Sequence, residues 1–337
     1  MARILIATDA WHPQVNGVVR TLDTTARLLR DWGHAVEVVE PSMFPNRPLP
    51  FYPEIRLSLP LPHRIDSRLK QFRPEHVHLS TEGPIGLSVR RACQRFGWMF
   101  TTSYHTKFPE YLNELTGFPE RWAYAYLKWF HGSASATMVA TPSLEADLVS
   151  RGFRGTFRRW SRGVDLSLFY PRSKLPTSLA RPILLYAGRV SAEKNLDAFL
   201  SLDVPGTKVI VGEGPARNVL QARYPGAIFT GILIGDALAE QYSNADLFVF
   251  PSQTDTFGIV LIEALASGLP VAAYPVTGPL DLITRPEWGA LNVDLKRAVL
   301  SALVSGDPAA CVEEGRSYTW ERSAQQFLDN LVSIKPS

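Results

Sequence analysis

Short apolar runs that end in glycine- or proline-bearing loops, each followed by a stretch with helical periodicity, recur along nearly the whole of this chain. That alternation allows few folds, because strands joined by helical crossovers must pair in parallel and be covered by helices on both faces. Arg3–Thr8 reads as the first buried strand, the helix-period stretch Gly17–Asp31 follows, Gly33 closes it, and His34–Val39 is the next strand. Glu75–Leu79, Met99–Ser103, Ala136–Ala140 and Phe157–Trp160 continue the series. A second series holds Ile183–Ala187, Lys208–Val211, Ala227–Thr230 and Leu247–Pro251. The expected fold class is therefore α/β, in two halves.

Pro171, Pro176 and Pro182 bracket a polar stretch that is the natural joint between the halves. We accordingly expect an N-terminal domain over 1–175 and a C-terminal domain over 176–317. A final helix within 318–337 would carry Trp320, Phe327 and Leu331 on one side. Segment 41–62 is rich in proline and reads as a long irregular loop.

The chain has 337 residues, enough for two domains. No stretch approaches the roughly 18 consecutive apolar residues of a membrane span. The first apolar run ends at Asp9, too soon for a signal peptide, and Cys93 and Cys311 stand apart without metal-site spacing. These features lead us to expect a cytoplasmic protein. Charge is unevenly spread: residues 1–175 carry 23 Lys+Arg against 15 Asp+Glu, while the whole chain carries 35 against 32. The front half is thus +8 and the remainder −5, so the N-terminal domain suits an anionic partner.

Several strand-end loops have the chemistry of an anion site. Pro13 to Arg20 places Gly17 at a strand-to-helix turn, where backbone can approach a ligand and a helix N-terminus favours negative charge. Gly188-Arg189 and Glu193-Lys194 follow a strand; an arginine fork and a lysine point charge together suit a diphosphate, although a surface ion pair would leave the same signature. Gly212 lies in another such turn, Val211-Gly212-Glu213-Gly214-Pro215. The richest stretch runs from Pro251 to Val271: a polar loop with Asp255, Thr256 and Phe257, then an apolar helix opened by Gly258 and stopped by Gly268. Glu263 sits in that apolar helix, and a carboxylate there requires a partner. His105, in Ser103-Tyr104-His105-Thr106, is placed to hydrogen-bond a ligand or to serve the core. His76 and His78 share a strand face without a third ligand, so we expect no metal there. The chain lacks Asp-x-Asp, Gly-x-Gly-x-x-Gly after its first strand, and the P-loop signature.

Taken together, these motifs resemble the retaining family 4 glycosyltransferases of the GT-B fold, in which two Rossmann-like domains face each other across a cleft. Thr8-Asp9-Ala10-Trp11, Gln14-Val15-Asn16-Gly17, His78 with Thr81-Glu82-Gly83-Pro84, Trp160 to Asp165, and Val276-Thr277-Gly278-Pro279 are similar to the bacterial mannosyltransferase and sulfolipid-synthase branch. The resemblance implies that Arg189 and Lys194 hold a donor diphosphate, with Gly188, Gly212 and Gly17 close to it. It implies that Glu263 binds the ribose, that Thr256, Phe257 and Gly258 line phosphate and sugar, and that His105 contacts the donor sugar. Asp255 stands where the family's Glu-x7-Glu element has its first Glu, one methylene shorter. Asp9, Asn16 and Tyr104 fall on the acceptor side, and the last helix would cross back onto the N-terminal domain.

The expected chemistry is metal-independent and needs no cofactor. A hexose or hexuronic acid moves from a UDP-sugar or GDP-mannose by front-face attack, with catalysis assigned to His105, Asp255, Arg189 and Lys194. The expected acceptor is a membrane lipid of the diacylglycerol, ceramide or phosphatidylinositol type. Basic–aromatic Arg121–Phe130 and basic Arg64–Arg73 could rest on the inner face of the cell membrane. A soluble glycan acceptor is the alternative, followed by a nucleotide-sugar epimerase and a non-catalytic sensor. No nucleic-acid motif is evident.

Overall fold

The computed structural model describes residues 1–14, 16–48 and 56–335. The chain forms two compact units, one of Met1–Ser161 with Trp320–Ser337, the other of Arg162–Thr319. Residues 49–55 of the proline-rich segment, and Val15 of the first turn, lie outside the described residues.

The first unit holds strands β1 (Arg3–Ala7), β2 (Ala35–Val39), β3 (Asn46–Pro48), β4 (Arg56–Ser58), β5 (His76–Leu79), β6 (Thr101–Ser103), β7 (Ala136–Val139) and β8 (Phe157–Arg159). Its helices are α1 (Gly17–Asp31), α2 (Pro62–Phe72), α3 (Pro84–Phe96), α4 (Phe108–Thr116), α5 (Glu120–His131) and α6 (Pro142–Ser150). Six strands pair in the order β2-β1-β5-β6-β7-β8, all parallel, while β3 and β4 form a separate antiparallel pair. The proline-rich segment is therefore partly regular: a 3-10 turn at Pro41–Met43 precedes β3, and Asn46 Nδ2 donates to the carbonyls of Pro41 and Phe44.

In the second unit, β9 (Ile183–Ala187), β10 (Thr207–Val211), β11 (Ile228–Gly231), β12 (Leu247–Phe250), β13 (Val271–Ala273) and β14 (Gly289–Leu291) pair in the order β11-β10-β9-β12-β13-β14, again all parallel. Helices α7 (Leu196–Leu200), α8 (Arg217–Arg223), α9 (Gly235–Asn244), α10 (Ile259–Ala266), α11 (Pro279–Leu282), α12 (Leu295–Ser305) and α13 (Pro308–Gly315) cover it. Strands β13 and β14, three residues each, carry too short a pattern to be read from sequence. The chain then re-enters the first unit as α14 (Trp320–Asn330).

Alternation along β1 explains the layering of the first unit. Leu5 and Ala7 join one core with Val77, Leu79, Val89 and Phe130. Ile4 and Ile6 face the other side and join Leu22, Leu29, Trp160 and Phe327, so α1 and α14 supply that layer. In the second unit Leu184, Tyr186, Ile210, Leu247 and Val249 meet Phe199, Leu220 and Val299.

The division between the units falls at Ser161/Arg162 rather than at 175/176. Side chains account for the difference. Phe169 packs edge-on against Tyr242, Arg172 pairs with Asp236, Lys174 and Arg181 pair with Asp246, and the Leu175 N–H donates to Asn244. The polar, proline-marked stretch is thus a strap fastened along the second unit. The terminal helix ends at Asn330, and Ser333 pairs in extended form with His76.

Candidate active site

The strand order of the second unit reverses between β9 and β12, and ligands of open parallel sheets sit at the carboxyl ends of strands where the order reverses. The loops that leave β9 and β12 meet there. Lys194 Nζ lies 2.9 Å from both carboxylate oxygens of Asp255. Their side chains are 16% and 21% exposed, so solvent reaches the pair. Asn195 Nδ2 donates to the Pro251 carbonyl and ties the two loops together. Tyr186 donates its hydroxyl to the Arg189 carbonyl, which holds the turn after β9.

Two glycines make this crossing possible. Gly212, after β10, has φ +139°, and a Cβ there would lie 1.9 Å from the Gly188 carbonyl oxygen. Gly278, after β13, has φ +92°, and a Cβ would lie 2.6 Å from the Phe257 carbonyl oxygen. The loops after β9 and β10, and those after β12 and β13, thereby approach each other by backbone in pairs.

Helix α10 opens at this edge. Its cap Gly258 has a left-handed backbone and supplies no side-chain cap, so the first N–H groups carry the helix's positive end without an internal side-chain acceptor. Ser252 Oγ and Thr254 Oγ1, in the loop before it, are buried without a hydrogen-bond partner. The loop is therefore polar beyond what its own contacts use. Phe257 is buried against Tyr318, so only its backbone could line a site, and Thr256 is buried as well. Glu263 is 1% exposed and accepts a 2.9 Å hydrogen bond from Tyr242. Tyr242 lies on α9, far from Glu263 in sequence, and no local signal marks it as the partner.

The first unit reverses its strand order between β1 and β5, and the loops there also meet. Asp9 accepts from Thr81 Oγ1 at 2.8 Å, from the Ile85 N–H at 2.8 Å and from the Gly86 N–H at 3.3 Å. It therefore caps α3, whose own N-cap residue Gly83 has no side chain to do so. Burial of the carboxylate raises its pKa above the usual range despite these hydrogen bonds. Asn16 caps α1 by accepting from Val18 and Val19 at 3.0 Å, leaving Gly17 exposed at the helix start. Tyr104 is 1% exposed among Tyr124, Leu127 and Phe153, and burial drives its hydroxyl pKa upward. Thus Asp9, Asn16 and Tyr104 all have structural work here. His105 is half-buried, its Nε2 lies 2.8 Å from Ser103 Oγ, and its ring meets Trp160 edge-on.

His78 is fully buried between Thr101 and Ser103, and His76 Nδ1 bonds the Val332 carbonyl. Among the described residues, no group of three His, Cys, Asp or Glu side chains is placed to hold a metal ion.

Comparison with known proteins agrees with this geometry. Residues 15–168 match the model of Glycosyltransferase Family 4, and residues 181–305 match Glycosyl transferases group 1. A GDP-mannose-dependent alpha-mannosyltransferase of Mycobacterium tuberculosis is 33% identical, over 86% of this chain and 83% of its own length. The sulfoquinovosyl transferase of Arabidopsis thaliana is 28% identical over 93% of this chain, which spans 66% of that relative's length. An alpha-monoglucosyldiacylglycerol synthase of Streptococcus pneumoniae is 26% identical over 90% of this chain and 78% of its own length. Among solved structures, a sucrose-phosphate synthase from Thermosynechococcus elongatus superposes with a TM-score of 0.77 at 23% identity, covering 97% of each chain. Two Rossmann-like halves and these likenesses define the GT-B class. The chain belongs to glycosyltransferase family 4 and is a glycosyltransferase of the hexosyltransferase type.

Proposed function

We propose that this enzyme moves a hexose or hexuronic acid from a nucleotide-diphosphate sugar to a hydroxyl of a membrane lipid, with retention at the anomeric carbon. The observation that carries the donor half is the meeting of Lys194 and Asp255 beside the uncapped start of α10, at the strand-order reversal of the second unit. A diphosphate entering there would draw Lys194 away from Asp255 and gain Arg189 and the α10 N–H groups. Glu263, already oriented by Tyr242, is suited to the ribose, and Asp255 to the sugar hydroxyls. Gly17 and His105 keep the donor role that the family resemblance implies for them.

In this reading the bond from the anomeric carbon to the diphosphate breaks as a bond to the acceptor oxygen forms. The acceptor's proton passes to a diphosphate oxygen. Arg189, Lys194 and the helix start stabilise the charge on the departing diphosphate. The GDP-mannose dependence named for one relative supports the donor class.

The lipid half rests on the surface of the first unit and on the diacylglycerol product named for another relative. On α4, α5 and the turn between them, Phe108, Phe118, Trp122, Tyr126 and Trp129 are all exposed, Trp122 by 59%. Arg121 lies over Trp122, while Arg90 is buried beneath Trp129 and donates to the Phe130 and Trp129 carbonyls. Such rings beside cations suit the headgroup level of an anionic bilayer. Tyr126 donates to the Glu82 carbonyl at 2.6 Å, which ties this face to the loop after β5. The second basic stretch, α2, is a solvated helix whose Arg68 and Asp66 pair with Glu37 and Arg95. Among the described residues no helix is long and apolar enough to cross a membrane, and we place the enzyme peripherally at the inner face.

Incubating the full chain with UDP-glucose, UDP-galactose, UDP-glucuronate or GDP-mannose and mixed anionic vesicles tests the proposal, with products read by mass spectrometry. A new glycolipid from one donor is the expected result. Donor turnover with no lipid product would overturn the lipid assignment, and interconversion of the donor without transfer would point to an epimerase.

A further inference from the structure

Behind His105 runs a line of buried polar groups that the transfer reaction does not itself require. Ser103 Oγ lies 2.8 Å from His105 Nε2 and 3.1 Å from His78 Nε2. On its other side, His78 Nδ1 lies 2.9 Å from Thr101 Oγ1. Ser103 and Thr101 stand on β6, and His78 on β5 beside them in parallel register. The His78 ring is fully buried and boxed edge-on by Trp160 at 5.7 Å and Phe327 at 4.9 Å between centroids. Trp160 also meets the His105 ring edge-on at 5.4 Å.

The chemistry of a hydroxyl makes this line cooperative. Ser103 Oγ has one hydrogen to donate and lone pairs to accept, and it bonds two imidazole nitrogens. If it donates to His105 Nε2, it must accept from a protonated His78 Nε2, and Thr101 then donates to His78 Nδ1. If instead His105 Nε2 carries a proton and donates to Ser103, Ser103 donates to a bare His78 Nε2, and His78 Nδ1 donates to Thr101. Both arrangements satisfy the line. A charge arriving on His105 is accommodated by the second arrangement while His78 stays neutral, which matters for a ring buried among aromatics.

We propose that Ser103 and His78 form a relay that couples the tautomers of two histidines, and that Ser103 is thereby a positioning residue for His105. The relay lets the His105 ring change tautomer without breaking its bond to the strand. Its catalytic consequence rests on the proposed contact of His105 with the donor sugar; the coupling itself does not.

The test is nitrogen NMR on the full chain with labelled histidine, assigned through His78→Gln and His105→Gln. The relay requires the protonated fractions of the two Nε2 atoms to sum to one. Both nitrogens protonated together, or both bare, in the wild-type chain would overturn it. Kinetics then test the positioning role. Ser103→Ala is expected to lower kcat by about tenfold, the scale of one oriented hydrogen bond, with little change in donor KM, while Ser103→Thr restores it. Wild-type kcat in Ser103→Ala alongside lost turnover in His105→Gln would overturn the positioning role. Full turnover in both variants with coupled tautomers would instead overturn the contact of His105 with the donor.

Discussion

At Gly212 a single hydrogen atom decides whether the strand-end loops of the second unit can close on one another. Its φ of +139° and the 1.9 Å approach of a built Cβ to the Gly188 carbonyl leave a methyl group no room, since the obstacle is backbone. Gly212→Ala is expected to cost about 2 kcal/mol of stability by this strain and to weaken donor binding. Gly226, with nothing within 4 Å of a built Cβ, is the control that should leave both unchanged. Thermal unfolding and calorimetry read the two effects, and a Gly212→Ala protein indistinguishable from wild type would contradict the close-packed turn. This turn was legible in sequence because a glycine after an apolar run is a local signal. So were Lys194 and Asp255, which flank strands that the pattern marks clearly. The Tyr242 partner of Glu263 and the Ser103–His78 line were not legible, because each is made by elements that meet only in the folded sheet.

Among the elements, the strands long enough to show an unbroken apolar run were read from sequence to within a residue or two: β9 at Ile183–Ala187 coincides, and β12 ends one residue early at Phe250. The segment from 171 to 182 lies along the second unit, and proline and polarity describe a solvent-facing segment equally well whether it joins two units or lies along one. Asp246 fastens that strap. Burial pushes its carboxyl pKa up, but hydrogen bonds from Lys174, the Ile183 N–H and Arg181 outweigh this and bring it below the ordinary value. A carboxyl group with a lowered folded pKa contributes stability above its unfolded pKa of about 3.9 and loses it as pH falls through the folded value. Asp246→Asn is therefore expected to be less stable near pH 7 by on the order of 1 kcal/mol, allowing for solvent screening. It should also lose less on acidification to pH 3. Urea midpoints at both pH values check this, and an unchanged acid dependence would contradict the role of Asp246.

For the whole molecule, the anionic partner proposed for the first unit rests on charge and on exposed aromatic rings. That unit, as the structure bounds it, carries 22 Lys+Arg against 16 Asp+Glu, while the second carries 13 against 16. The aromatic face of α4 and α5 lies on the positive unit. Replacing Trp122 and Arg121 together by alanine should lower partitioning onto anionic vesicles by about tenfold, from the apolar area and charge removed. Sedimentation with vesicles measures it, and unchanged partitioning would contradict this face as the membrane contact.

The central claim is that the β9–β12 reversal of the second unit holds the donor's diphosphate. Isothermal titration of UDP and GDP into the wild-type chain and Lys194→Ala tests it most directly. Without Lys194, the diphosphate would lose one of its two proposed cations and would face an Asp255 carboxylate stripped of its partner, so the account predicts that affinity for the preferred nucleotide falls by at least about tenfold. Unchanged affinity in a folded Lys194→Ala protein would contradict it, because the diphosphate would then have to be held elsewhere.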